Sequence, residues 1–316
     1  MLKIGVKIDE VRIDGDLKRL RSDLEEYQRL SLYYTELPVH GLDAIKHGRL
    51  DIKRVKDIKE ILKSFEFTYS VHAPNPLNLM ERENPNLHIS VLRSTLEFAS
   101  EIGSKVVVIH PGRYIPEENF AVNGKCDLSE GQKTRLLDFE ATAIHMISEE
   151  FPQILICMEN ARPYLFHSPY CYAERIDSLK EQVLKINRPN VRINLDIGHL
   201  YLAAKFYKYD PVEAVISIRD LIAHTHMHDN FGNAVYYHEK QQTHQIPFGK
   251  GDSHMPVGWG EIPFKPILST FATSYDGMFM MELRSRYFHH IKESSENLQR
   301  ILSEIATEQT GKSLNN

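Results

Sequence analysis

Short apolar runs bounded by turn residues alternate along the chain with longer stretches of helical period. The strand-like runs fall at 3–8, 33–38, 68–72, 105–110, 155–159, 192–196, 223–228 and 278–282. Helical periodicity falls near 15–31, 53–64, 87–102, 130–150, 172–186, 211–221, 262–272 and 291–307. Strict alternation of this kind predicts an α/β fold with parallel strands joined by right-handed crossovers. Eight units favour a closed (β/α)8 TIM barrel over an open sheet. No G-x-G-x-x-G follows the first strand, where Ile8-Asp9-Glu10-Val11 stands instead, so a dinucleotide-binding fold loses ground.

There is no linker, low-complexity block or repeat beyond this rhythm, and a single barrel domain is expected over residues 1–307. Two stretches break the pattern. Residues 230–261, after the seventh strand, make a loop longer than a plain strand-to-helix turn, which marks it as functional and as a candidate lid. Residues 308–316 are polar and aperiodic, and a disordered tail is expected there.

Composition narrows the partners. The 316 residues suit one α/β barrel. With 38 Lys+Arg against 43 Asp+Glu the net charge is −5, so a basic nucleic-acid footprint is absent and a small-molecule partner is favoured. No apolar run approaches the ~20 residues that would span a membrane. The opening MLKIGVKID reads as a strand rather than a signal peptide. Cys126, Cys157 and Cys171 form no C-x-x-C pair, which argues against a disulfide framework or thiolate zinc site and points to the cytoplasm. Nothing marks a helix face as an interface, so the oligomeric state stays open.

The chemistry lies in where the 16 histidines fall. From the third strand onward each strand ends in a residue able to bind a metal: His72, His110, Glu159, Asp196 with His199, His226 with His228, and Glu282. In a barrel these ends meet at the C-terminal mouth, where active sites of this fold sit. One histidine or carboxylate there is ordinarily a hydrogen-bonded structural residue or a helix cap. Six in succession are hard to treat as independent, because burying so many carboxylates and imidazoles together is costly without a cation. The long loop adds Asp252-Ser253-His254, which can place an oxygen and a nitrogen on one ion. Oxygen and nitrogen ligands without sulfur suit Zn²⁺, Mn²⁺, Co²⁺ or Fe²⁺ better than Mg²⁺.

In their order and spacing, VHAP, IHPG, MEN, LDIGH, HMHDN, DSHMPVGWGEI and MELR resemble the xylose isomerase-like TIM-barrel superfamily over nearly all of residues 1–307. That group includes endonuclease IV and the sugar isomerases and epimerases. The resemblance implies one ion held by Glu159, Asp196, His226 and Glu282. In the endonuclease pattern it implies a second on His72 and His110 with Glu159 bridging, and a third on His199, Asp252 and His254. One to three divalent ions per chain, zinc or manganese, are therefore expected.

Two functions follow. The first is a metal-dependent isomerase or epimerase of a sugar or sugar phosphate, working by metal-assisted proton transfer through an enediolate with Glu159 and Glu282 as base and acid. Asn160, His228 and Trp259 would contact the sugar, with Trp259 as an apolar wall. Arg113, Arg162, Arg284 or Arg286 would hold a phosphate or carboxylate. The alternative is an endonuclease IV-like zinc phosphodiester hydrolase. It needs a basic track, and the candidate segment 46–63 carries Asp51, Asp57 and Glu60 among its lysines and arginines. After His72-Ala73-Pro74 stands Asn75-Pro76-Leu77 rather than a bulky aromatic segment, and the loop before Asp252 is long for that nuclease pattern.

Overall fold

The computed structural model describes residues 2–121, 126–236 and 242–313. Eight parallel strands close into a barrel: β1 (Ile4–Lys7), β2 (Tyr34–Pro38), β3 (Thr68–His72), β4 (Val106–Ile109), β5 (Leu155–Glu159), β6 (Val191–Asp196), β7 (Ile222–Met227) and β8 (Phe279–Met281). Each strand pairs with its predecessor in the chain, and β8 closes onto β1 with Val6 opposite Met281. The (β/α)8 expectation is met.

The strands read as apolar runs because helices cover their outer faces; all four residues of β4 are buried. α2 (Leu17–Arg29) turns Leu20, Leu24 and Tyr27 inward, and α3 (Ile52–Leu62) turns Val55, Ile58 and Leu62 inward, the spacing of one helical stripe. Local signals start these helices. Asp16 and Asp51 accept from backbone N–H groups of the first turn, and Ser129 and Gln132 form a reciprocal capping box on α5 (Glu130–Glu150). Inside the barrel Val106, Val108, Cys157, Met278 and Met280 form an apolar plug. Buried polar side chains of the strands, among them Glu36, His72, Glu159, Asp196, His224 and His226, lie toward the C-terminal ends.

Three expectations are corrected. In the sixth unit a helix over 211–221 was expected, yet α7 (Ile197–Tyr207) begins directly after β6 and only the short α8 (Pro211–Ile216) lies further on. The residues IGHLYLAAKFY are apolar on most sides, which hides a 3.6-residue period. The helix expected over 172–186 starts at Ile176, after one tight turn over Tyr172–Glu174. Finally, the expected tail at 308 is helical as far as Ser313, because α10 spans Ile291–Ser313. Lys265 of α9 (Phe264–Leu268) bonds both Glu304 and Glu308 and ties that extension down. Residues 314–316 lie outside the described residues. Among the described residues no helix is long and apolar enough to cross a membrane.

Candidate metal centre

At the mouth, strand ends and the turns after them bring the predicted ligands into three groups, each with ligand atoms within 4.8 Å of one another, and a fourth such group joins Glu36 to His72 and His226. Glu159, Asp196, His226 and Glu282 form one; His72, His110 and Glu159 another; His199, His228, Asp252 and His254 the third. All nine predicted ligands are therefore gathered, and His228, expected to contact substrate, joins them. Its Nε2 lies 3.1 Å from Asp196 Oδ1, and its ring stacks on His254 at 3.9 Å between centroids. Gly198 makes room for this ring: a Cβ there would collide with His228.

Five of the imidazoles are oriented by an acceptor on the far side, whereas His228 Nδ1 has no hydrogen-bond partner. Nδ1 of His72 donates to Ala73 O at 2.7 Å, Nδ1 of His199 to Asn160 O at 2.9 Å, and Nδ1 of His254 to Glu282 O at 3.0 Å. His110 Nδ1 lies 3.4 Å from Asn75 O. His226 is held the other way round, with Nε2 donating to Glu36 Oε1 at 2.8 Å. The remaining nitrogen of each of these five rings is the one turned inward, where it can give a lone pair to an ion. Carboxylates face these nitrogens, and Arg162 Nη1 also lies 3.2 Å from His199 Nε2. His226 Nδ1 lies 3.2 Å from Glu159, 3.0 Å from Glu282 and 3.8 Å from Asp196, and His254 Nε2 lies 2.8 Å from Asp252. Lone pairs and carboxylates aimed at one another repel unless a cation or proton lies between them, so the donor set fits divalent metal ions.

At His226 burial is outweighed by the surrounding Glu282, Glu36 and Glu159, which raise the pKa well above its ordinary value, so a proton competes with an ion for Nδ1. Burial pushes the His110 pKa down to about 3 and keeps that ring neutral. Burial opposes ionisation of Glu159, but His226 beside it outweighs this and the carboxyl stays well below its ordinary pKa. Burial works against Glu282 in the same way and is overcome by Lys7, then His226 and His254.

The cavity above these groups has a volume of about 230 Å³ and is lined also by Lys7, Asn75, Arg113, Glu117, Arg162 and Arg284. Arg113 spends one nitrogen on the carbonyls of Asn75 and Leu77, while Arg162 lies 3.4 Å from Asp252. Arg284 donates to Asp252 O. Three expected substrate contacts are placed elsewhere. Asn160 is buried, with its side chain bonded to the backbone N–H and carbonyl of Asp196. Trp259 does not line the cavity; its indole donates to Glu293 and packs edge-on against Tyr287 and His290. Arg286, over the Tyr287 ring, is also outside the cavity lining. In each case local hydrogen bonding or ring packing, invisible in a motif, claims the side chain.

Lys7 and Glu36 were not singled out by the sequence, because attention fell on strands from the third onward. The signal was present: each is a charge inside an otherwise largely apolar strand of a sheet covered on its outer face. The long loop is anchored by Asp229 pairing with Met255 and by Gly251 N–H on Asn233 O, which sets Asp252 and His254 over the mouth. Residues 237–241 of the expected lid lie outside the described residues.

Comparison with known proteins agrees with this architecture. A family model described as a xylose isomerase-like TIM barrel matches residues 24–305. An uncharacterised protein of Methanocaldococcus jannaschii is 30% identical over 246 residues, covering 74% of this chain and 70% of that protein. A solved D-tagatose 3-epimerase-like protein superposes with a TM-score of 0.72 at 25% identity, covering 97% of this chain and 99% of its own. An L-ribulose 3-epimerase superposes with a TM-score of 0.67 over 98% and 97%; at 12% identity that likeness is one of fold.

Proposed function

The chain belongs to the xylose isomerase-like TIM barrel family, and from that premise we propose that it is a metal-dependent isomerase or epimerase of a small sugar or sugar derivative. The observation that carries the reading is the convergence of Glu159, Asp196 and Glu282 on Nδ1 of His226, at the floor of a cavity of small-molecule size. A divalent ion bound there supplies Lewis-acid polarisation of a carbonyl and its neighbouring hydroxyl. Glu159 and Glu282, both held anionic, take the proton from the carbon beside that carbonyl and return it. Lys7, 2.9 Å from Glu282, keeps that carboxylate in place, and Arg284 and Arg113 present N–H groups to substrate hydroxyls.

The charge pattern weighs against the phosphodiester alternative. Lys46, Lys53, Lys59 and Lys63 each pair with a carboxylate, on Asp51, Asp57, Glu101 and Glu60 respectively, so the candidate basic track is largely neutralised.

The test is proton exchange. Protein loaded with Mn²⁺ or Zn²⁺ is incubated in D₂O with a panel of ketoses and their phosphates and followed by NMR. Deuterium should appear at the carbon next to the carbonyl, together with a new epimer or isomer, and neither should appear with Glu159→Gln. Hydrolysis of a model phosphodiester with no exchange on any sugar would replace this reading with the hydrolytic one.

A further inference from the structure

Glu36 belongs to none of the roles assigned above. It is fully buried in β2, and three donors converge on it. Oε1 accepts from His226 Nε2 at 2.8 Å; Oε2 accepts from His224 Nε2 at 2.8 Å and from Ser70 Oγ at 2.9 Å. His224 and His226 stand two apart on β7 and so share its inner face. Strands β2 and β7 are not neighbours in the sheet, and these hydrogen bonds cross the barrel interior.

An ionised carboxylate only accepts, so each nitrogen bonded to it must carry a proton. That condition puts a proton on His226 Nε2, so Nδ1, facing Glu159, Glu282 and Asp196, is the nitrogen left to give a lone pair to an ion. The opposite tautomer would point an N–H at the place where the ligand groups converge and would block coordination. A carboxylate behind an imidazole also makes its other nitrogen a stronger donor.

We propose that Glu36 is a positioning residue for the metal centre: bonded across the barrel to His226, it fixes the tautomer and strengthens the donor that this ring offers an ion, while His224 and Ser70 hold Glu36 in register. The proposal rests on the reading that the Glu159–Asp196–His226–Glu282 group binds a divalent ion. It does not depend on the reaction performed.

Two measurements test it. The first is a long-range ¹H–¹⁵N NMR spectrum of the histidine side chains of the parent protein, before and after Zn²⁺ loading. A proton on Nε2 of His226 in the Zn²⁺-loaded protein is expected, and a proton on Nδ1 there overturns the proposal. The second is Co²⁺ affinity by chelator competition for the parent, Glu36→Gln and Ser70→Ala, with melting curves recorded on the metal-free proteins. A glutamine amide has one acceptor and one donor end and cannot accept from both rings. Glu36→Gln should therefore weaken the ion at His226 about 10–100-fold, while ions bound through His199, Asp252 and His254 are retained. Ser70→Ala should weaken it in the same direction by less. A merely structural residue would lower the melting temperature and leave affinity unchanged, so a folded Glu36→Gln protein with affinity within twofold of the parent overturns the proposal. If Glu36→Gln does not fold, Ser70→Ala and the NMR spectrum decide. A parent protein that binds no Co²⁺ at all overturns the metal reading itself, and the proposal with it.

Discussion

Lys7 Nζ lies 2.9 Å from Glu282 Oε1, joining the first strand of the barrel to the end of the last. The same ammonium lies 3.1 Å from Glu10 Oε2, so one nearly buried cation serves two carboxylates. Burial alone would lower the Lys7 pKa, yet Glu10, Glu282 and Glu36 around it raise it well above the ordinary value, and the group stays charged. The barrel seam is thus closed by charge as well as by backbone pairing.

Lys7→Met should destabilise the protein by about 3 kcal/mol, the cost of leaving a buried carboxylate without its counter-charge. Part of that loss should be absent when Glu10→Gln is already in place, the remainder belonging to Glu282. Urea unfolding of the two single variants and the double variant measures the coupling, and strictly additive losses would show that Lys7 and Glu10 do not interact.

Removal of metal should loosen the mouth while the rest of the barrel persists. A chelator is expected to lower the melting temperature, and returning Zn²⁺ at about 100 times its Kd should restore about 2.7 kcal/mol. His254→Ala should reduce metal content per chain by elemental analysis but leave the ion at His226 in place, because the two ligand groups share no residue. Loss of all metal from that variant would show that the sites fill as one unit.

Acid stability should carry a signature of His40. Its ring is mostly buried, neither nitrogen has a hydrogen-bond partner, and burial pushes its pKa down to about 4. A histidine that charges more readily when unfolded favours unfolding as pH falls. Its stabilising effect is therefore complete above the unfolded value near 6.5 and is lost progressively toward pH 4. The slope it contributes is at most about 1.4 kcal/mol per pH unit. Urea midpoints at pH 7, 5.5 and 4.5 should fall less steeply for His40→Asn than for the parent; parallel slopes would exclude His40 as the source.

Gly198→Ala should cost about 1–3 kcal/mol through overpacking and should disturb the metal group that contains His228, since the added methyl meets that ring. Melting temperature and Zn²⁺ content report the two effects separately. A variant with parental values in both would mean that the His228 ring can move aside.

Much of this could be read directly from the chain. All eight barrel strands fall within two residues of their expected limits, because an apolar run bounded by turn residues is a local signal. The candidate ligands were legible for the same reason: His72, Glu159 and Asp196 are the last residues of their strands, and a strand end is a local feature. The misreadings share a cause. α7 was passed over because its sequence is apolar on nearly all sides, and Trp259 was given to the substrate because nothing near it in sequence shows that Glu293 takes its N–H.

The alternation of apolar runs and helical stretches therefore determined the barrel by itself, and the polar residues closing each run determined which side chains reach its mouth. Which atoms those side chains turn inward was decided only when the barrel closed. Glu36 and His226 are 190 positions apart, and Lys7 and Glu282 lie at opposite ends of the chain. A strand's own pattern sets which face a residue takes, but an imidazole's tautomer and a carboxylate's charge depend on partners across the interior, in a space from which water has been removed.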